Sequence, residues 1–144
     1  MGESQDVADF SKLERVYYED TDAGGVVYHS NYLNFMERCR CEWLASLGYD
    51  VATMQQNDGI MFVVRHAQLS FDAPAKLFDE LTVTAKVLHV GKVKLIVEQK
   101  IYNNERLLCK GVITLAALAA SSFKLTRMPK MLINTFQALQ PIET

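Results

Sequence analysis

Between residues 60 and 120 the chain shows no helical period. Four strand-like runs fill this stretch, at 60–71, 81–90, 92–102 and 106 to about 120, each rich in β-branched, aromatic or other large apolar residues. Alternation is clearest in Leu81-Thr82-Val83-Thr84-Ala85-Lys86-Val87, where every second side chain suits a buried face. Turn residues punctuate the runs at Asp72-Ala73-Pro74-Ala75, Val90-Gly91-Lys92 and Asn103-Asn104. Such short connections leave no room for a parallel crossover, so the spacing predicts an antiparallel meander.

One long helix precedes these strands. From 31 to 47 the apolar positions Tyr32, Phe35, Met36, Cys39, Trp43 and Leu47 recur at helical spacing, with Asn34, Glu37, Arg38 and Glu42 among the remainder. Ser30 or Asn31 is the expected source of the N-cap oxygen, and Gly48 is the expected left-handed terminator. Upstream, residues 15–19 read as a strand that stops at the Asp/Gly cluster 20–25. Residues 51–56 form a short helical segment, and Pro129 opens a C-terminal helix at 130–139 carrying Leu132, Ile133, Phe136 and Leu139 on one side. With a strand, one striped helix and four strands in that order, a twisted antiparallel sheet wrapped around the helix buries both elements in two layers. The expected class is therefore α+β with a hotdog arrangement: a five-stranded antiparallel sheet around one central helix, followed by a short C-terminal helix. It reads as one domain over residues 1–144, with a polar lead at 1–12 and a C-terminal helix and tail at 129–144. Sheets have edges that must be covered or paired. The final strand is long and carries little charge beyond Arg106 and Lys110, so two chains are expected to join sheets as a dimer or a tetramer.

Composition narrows the function. With 144 residues and 49% hydrophobic content the chain can bury a single core. A formal charge of −2 with both signs interspersed gives no broad basic field for nucleic acid. Three cysteines, Cys39, Cys41 and Cys109, lack the spacing of a disulfide framework or a zinc site and point to a reducing, cytoplasmic setting. They read better as buried small apolar residues than as nucleophiles. The start, Met1-Gly2-Glu3-Ser4-Gln5-Asp6, lacks a signal-peptide core, and Asp6 stands where myristoylation wants Ser or Thr. The longest apolar runs, such as 112–120, fall well short of the roughly 20 residues of a membrane span.

Chemistry concentrates at 17–32, between the first strand and the long helix. Two carboxylates two residues apart, two successive glycines and a histidine before a helix start bring together three things: an acid-base group, closely approaching backbone and amide donors. Acyl transfer needs an activated water or a nucleophile, and stabilisation of the oxyanion. Asp22 suits the first role. Amides at the helix start, aided by one from the glycine turn, suit the second, because that end carries about half a positive charge. A thiolate leaves readily, since thiols have pKa values of about 8.5, so one carboxylate suffices and no metal is required.

The run Tyr18-x-Asp20-Thr21-Asp22-x-x-Gly25-x-Val27-Tyr28-His29-x-Asn31-Tyr32, followed by Phe35, Glu37 and Arg40, resembles the signature of the 4-hydroxybenzoyl-CoA thioesterase family. Residues 17–29, with Phe62-Val63-Val64-Arg65 and Ala73-Pro74-Ala75, are most similar to its Tol-Pal system-associated acyl-CoA thioesterase branch, and the resemblance spans roughly residues 14–130. It implies that Asp22 is the catalytic general base or nucleophile, that Tyr18 and His29 orient it or the water, and that Gly25, Val27 and Tyr28 lie on the substrate side. Ala23 replaces a proline of the hydroxybenzoyl member, and His29 replaces an aromatic residue, which favours an aliphatic acyl group. The implied substrate is an acyl-CoA or an acyl carrier protein thioester, with coenzyme A part of the substrate and no separate cofactor. Asp20 is the expected structural partner.

Arg65, Gly91 and Lys92 are candidates for the coenzyme A phosphates, through side-chain charge and hairpin amides. Lys124, Arg127 and Lys130 compete for the same role. His66 and His89 have no such company and read as structural, and Tyr28 and Tyr32 read mainly as packing residues. The Ser121-Ser122-Phe123-Lys124 match to penicillin-recognising enzymes lacks its companion motifs. Asp20-Thr21-Asp22 lacks both the following residue and the doubly wound sheet of aspartyl phosphatases. The rival functions are a binding module that holds acyl-CoA or acyl carrier protein without cleavage, and a hydroxyacyl dehydratase, whose separated His and Glu pair is not evident.

Overall fold

The computed structural model describes residues 8–140. Strand β1 (Phe10–Arg15) leads through a 3₁₀ turn (Tyr18–Asp20) into helix α1 (His29–Ser46) and the short helix α2 (Val51–Asn57). Strands β2 (Ile60–Phe71), β3 (Glu80–Val90), β4 (Lys94–Asn103) and β5 (Arg106–Ala119) follow, then helix α3 (Lys130–Leu139). All five strands form one sheet in the order β1-β3-β4-β5-β2, and every pairing is antiparallel. This is the hotdog arrangement.

The inner face follows from the two-residue period. Leu81, Val83, Ala85 and Val87 of β3, Leu95, Val97 and Ile101 of β4, and Cys109, Ile113 and Leu115 of β5 are buried. Tyr32, Phe35, Met36, Cys39, Trp43 and Leu44 of α1 share that core. Gln99 occupies an inner position of β4 and is fully buried. Its Nε2 donates to the Met36 carbonyl at 3.0 Å, and its Oε1 accepts from Arg40 Nη1 at 2.8 Å, so strand and helix are joined by a satisfied polar pair. Helix α1 closes as its glycine implies: Gly48 N–H donates to Ala45 O, Tyr49 N–H to Leu44 O, and Gly48 has φ +92°. Helix α3 starts after Pro129 and buries Leu132, Ile133 and Phe136, the last beside Trp43 with ring centroids 5.6 Å apart.

Three expectations are corrected. The first strand lies at Phe10–Arg15, not 15–19, so the expected polar lead runs into it, and its residues 1–7 lie outside the described residues. The inner face of β1 is charged, which hides the strand's pattern. Lys12 Nζ lies 3.1 Å from Glu42 and 3.4 Å from Glu14, Arg38 lies 3.7 Å from Glu14, and Leu13 points outward, 74% exposed. The N-cap is Tyr28, with no side-chain cap; Ser30 and Asn31 fall within the first turn, and the Asn31 amide serves Asp20 instead. Finally, β5 is not an edge. It is flanked by β4 and β2, which leaves β1 and β2 as the open sides of the sheet.

Candidate active site

The segment between β1 and α1 folds into a tight loop organised by its first carboxylate. Asp20 is 6% exposed; its Oδ2 accepts from Tyr17 N–H at 2.9 Å and its Oδ1 from Asn31 Nδ2 at 2.8 Å. Its carbonyl also accepts from Tyr28 N–H at 3.3 Å. One residue thus ties the loop's entrance to its exit and to the helix start. Thr21 Oγ1 donates to Tyr18 O at 2.8 Å, and Thr21 bridges Val27 across the loop. The loop also hangs on the segment before β3: Val27 N–H donates to Ala75 O at 2.9 Å and Leu77 N–H to Gly25 O at 3.0 Å. Ala75 N–H in turn donates to the Tyr32 hydroxyl at 2.9 Å, so the clamp is fixed to α1.

Asp22 sits at the loop's turn, half-buried. Its backbone N–H donates to Val26 O and its carbonyl accepts from Gly25 N–H, while Gly25 takes φ +81°, where a side chain is strained. Oδ1 accepts from Gly24 N–H at 2.8 Å and from Val26 N–H at 3.4 Å. Oδ2 takes no hydrogen bond from the described residues. The carboxylate is therefore held by one oxygen and offers the other. Just beyond the loop, the N–H groups of His29 and Ser30 open α1 without a backbone or side-chain acceptor among the described residues. Such amides, with the helix dipole behind them, suit a developing negative charge.

The remaining predicted residues are dispersed. Tyr18 is 80% exposed and His29 is exposed, its ring stacked on Phe71 of β2 at 4.3 Å and 15°. Neither side chain hydrogen-bonds Asp22 within the protomer. Val27 is buried in the core, whereas Tyr28, expected to pack, is half exposed. Tyr32 is the packing residue, its hydroxyl used by Ala75. Arg65 stands exposed on β2 at a bulge between Val64 and His66. Gly91 N–H closes the β3–β4 turn on Lys94 O at 2.8 Å, and Lys92 is exposed there. Met128 N–H donates to Lys92 O, which brings the segment carrying Lys124, Arg127 and Lys130 to the same end of the sheet. His66 and His89 are both exposed beside irregularities in their strands.

Burial pushes Cys39 and Cys109 up to about 12, so both stay protonated near neutrality. Cys41 is exposed rather than buried as expected, yet burial of its sulfur and the nearby Glu37 also raise its pKa. Sequence reasoning missed the Arg40–Gln99 pair, since a lone glutamine in an alternating strand reads as a solvent-facing residue. Among the described residues no helix is long and apolar enough to cross a membrane, and no group of three His, Cys, Asp or Glu side chains is arranged to hold a metal ion.

A family model, the thioesterase superfamily, matches residues 24–110, more than half of the chain. The chain belongs to that superfamily. Within the thioesterase superfamily it is 37% identical over 131 residues to an acyl-CoA thioesterase, YbgC, of Haemophilus influenzae, covering 91% of this chain and 96% of that protein. It is 35% identical over 124 residues to the acyl-CoA thioester hydrolase YbgC of Escherichia coli O6:H1, covering 85% and 92%. Among solved structures it superposes on a probable thioesterase of Bartonella henselae with a TM-score of 0.79 and 33% identity, over 83% of this chain and 98% of that one. A 1,4-dihydroxy-2-naphthoyl-CoA thioesterase of Synechocystis shares the fold at a TM-score of 0.81 and 23% identity, over 90% and 96%.

Proposed function

We propose that this thioesterase-superfamily enzyme hydrolyses acyl-CoA thioesters to the free acid and coenzyme A, with Asp22 as the catalytic carboxylate. The observation that carries the reading is the asymmetric hold on Asp22, whose Oδ1 is fixed by two loop amides while Oδ2 is open. As general base, Oδ2 removes a proton from water while the water oxygen bonds to the thioester carbon; the His29 and Ser30 amides receive the oxyanion. Collapse breaks the carbon–sulfur bond, and the proton held by Asp22 passes to the departing thiolate. As nucleophile, the same oxygen bonds to the carbon directly, expels the thiolate and leaves an anhydride that water cleaves. Tyr18 and His29 orient the carboxylate or the water, and Gly25 and Tyr28 lie beside the thioester, while the core-buried Val27 holds the loop through its bond to Ala75. Arg65, Gly91 and Lys92 meet the phosphates of coenzyme A, which enters as part of the substrate and needs no further cofactor. Acyl carrier protein thioesters are a second substrate class on the same chemistry, and the setting is cytoplasmic.

The test is thiol release measured across a series of acyl-CoA chain lengths, and with acylated carrier protein. The wild type turns over an aliphatic member of the series, and Asp22→Asn lowers kcat/KM about 10²- to 10⁴-fold. Unchanged turnover in that variant ends the assignment. Trapping the anhydride during turnover with a strong nucleophile such as hydroxylamine separates the two routes, because only the nucleophilic one forms it.

A further inference from the structure

His29 opens α1 with an exposed ring, and neither ring nitrogen has a hydrogen-bond partner among the described residues. No polar contact fixes the plane of this imidazole, so packing must do so. The ring it packs on is that of Phe71, the last residue of β2, with centroids 4.3 Å apart and planes 15° from parallel. Aromatic pairs favour their stacked state about two- to tenfold beyond what the buried area contributes.

Phe71 is itself held from two directions. Tyr32 of α1 meets its ring edge-on, with centroids 5.3 Å apart at 60°. Its backbone pairs with Cys109 of β5, and the next residue, Asp72, donates its N–H to Leu108 O at 2.8 Å. A ring carried on a bonded strand end and wedged by a second ring makes a firm platform. Tyr32 also links the platform to the loop, because its hydroxyl accepts from Ala75 N–H while Ala75 O accepts from Val27 N–H. The His29 ring and the Asp22 carboxylate are thus set in one frame, although no side-chain bond joins them.

We propose that Phe71 is a positioning residue for the hydrolysis: its face holds the His29 imidazole in one plane and leaves the nitrogens at the ring's edge free for the water or the Asp22 carboxylate. A parallel stack covers a face of the imidazole, whereas Nδ1 and Nε2 lie on its edge. Without the stack, an exposed side chain at a helix start samples several rotamers and holds the orienting one only part of the time. Phe71 takes this part only if His29 orients the reaction as the hydrolytic reading has it. The added element is a dependence on a strand residue that lies outside the 17–32 motif.

Phe71→Leu removes the stack and keeps an apolar side chain; Phe71→Met replaces it if that variant does not fold. In ¹³C–¹H spectra of the full-length protein, the His29 ring protons are identified by their loss in His29→Asn. They should lie upfield in the wild type and in Phe71→Tyr, and move toward the His66 and His89 positions in Phe71→Leu. With an acyl-CoA that the wild type hydrolyses, Phe71→Leu should lower kcat about two- to tenfold at little change in KM, and Phe71→Tyr should restore it. In a His29→Asn background Phe71→Leu should cost no further turnover, whereas a purely structural Phe71 lowers it equally in both backgrounds. His29 ring protons that ignore Phe71→Leu, an unchanged kcat in that variant, an equal loss in both backgrounds, or unchanged turnover in His29→Asn would each overturn the proposal. The hydrolytic reading fails separately, through unchanged turnover in Asp22→Asn.

Discussion

Asp20 and Asp22 are two residues apart, yet the chain gives them different surroundings. Both oxygens of Asp20 accept hydrogen bonds inside the protein, whereas Asp22 is half-buried with one oxygen open. Asp20→Ala leaves the Tyr17 amide and the Asn31 side chain without their acceptor and should cost about 2–4 kcal/mol in urea unfolding, since hydrogen bonds to a charged group contribute about 1.5–3 each. Asp22→Asn keeps an Oδ1 acceptor for Gly24, so its melting temperature should stay close to that of the wild type while hydrolysis falls. The cysteines allow a second residue-level test. Cys39 and Cys109 are raised to about 12, so at pH 8 a thiol reagent should label Cys41 first and reach the other two only through unfolding. For these two groups the folded chain keeps protons that the unfolded chain releases. Their contribution to stability is therefore complete below the unfolded pKa and lost as pH rises toward 12. Melting temperature should fall steadily on the alkaline side of pH 9.

At the scale of elements, legibility depended on whether an element's inner face is apolar. Strands β2 to β5 and helix α3 have hydrophobic inner positions, and their sequence-based limits agree with the structure to within two residues. Strand β1 turns Lys12 and Glu14 inward to meet Arg38 and Glu42 of α1, so its period is present in geometry but reversed in polarity. No local pattern could reveal that, because the compensating charges come from another element. Tyr17 and Tyr18 have strand-favouring side chains, yet Asp20 draws them into a 3₁₀ turn. The same distance in sequence hid the Arg40–Gln99 pair, 59 positions apart. Replacing Gln99 with Leu should cost about 1–3 kcal/mol in a thermal melt, because it removes the side-chain acceptor of Arg40 Nη1 and leaves the Met36 carbonyl without its side-chain donor. The loop between β1 and α1 was legible as a motif; its anchor on Ala75 and Leu77 was not.

For the whole molecule, the strand order decides which surface is free to pair. The sequence pointed to the final strand, but β5 is enclosed, and the long unpaired side belongs to β2. Val64 and Phe71 are exposed large apolar residues on that strand, and Phe71 carries the His29 ring. We propose that a second copy joins at β2, next to the helix start that serves the site. The β1 side is poorly suited, since it spans six residues against twelve and bears charge on its inner face. Val64→Glu should convert the assembly to monomer in light scattering, and activity should fall with it; an unchanged mass would exclude this edge. The clamp of Val27 and Leu77 on Ala75 and Gly25 has a temporal corollary. During synthesis Asp22 leaves the ribosome well before Ala75 does, and nothing nearer in the chain supplies those two amide partners. A truncated or nascent polypeptide that ends before this second segment therefore has every residue of the motif but no ordered centre, and competence arrives only with the later half.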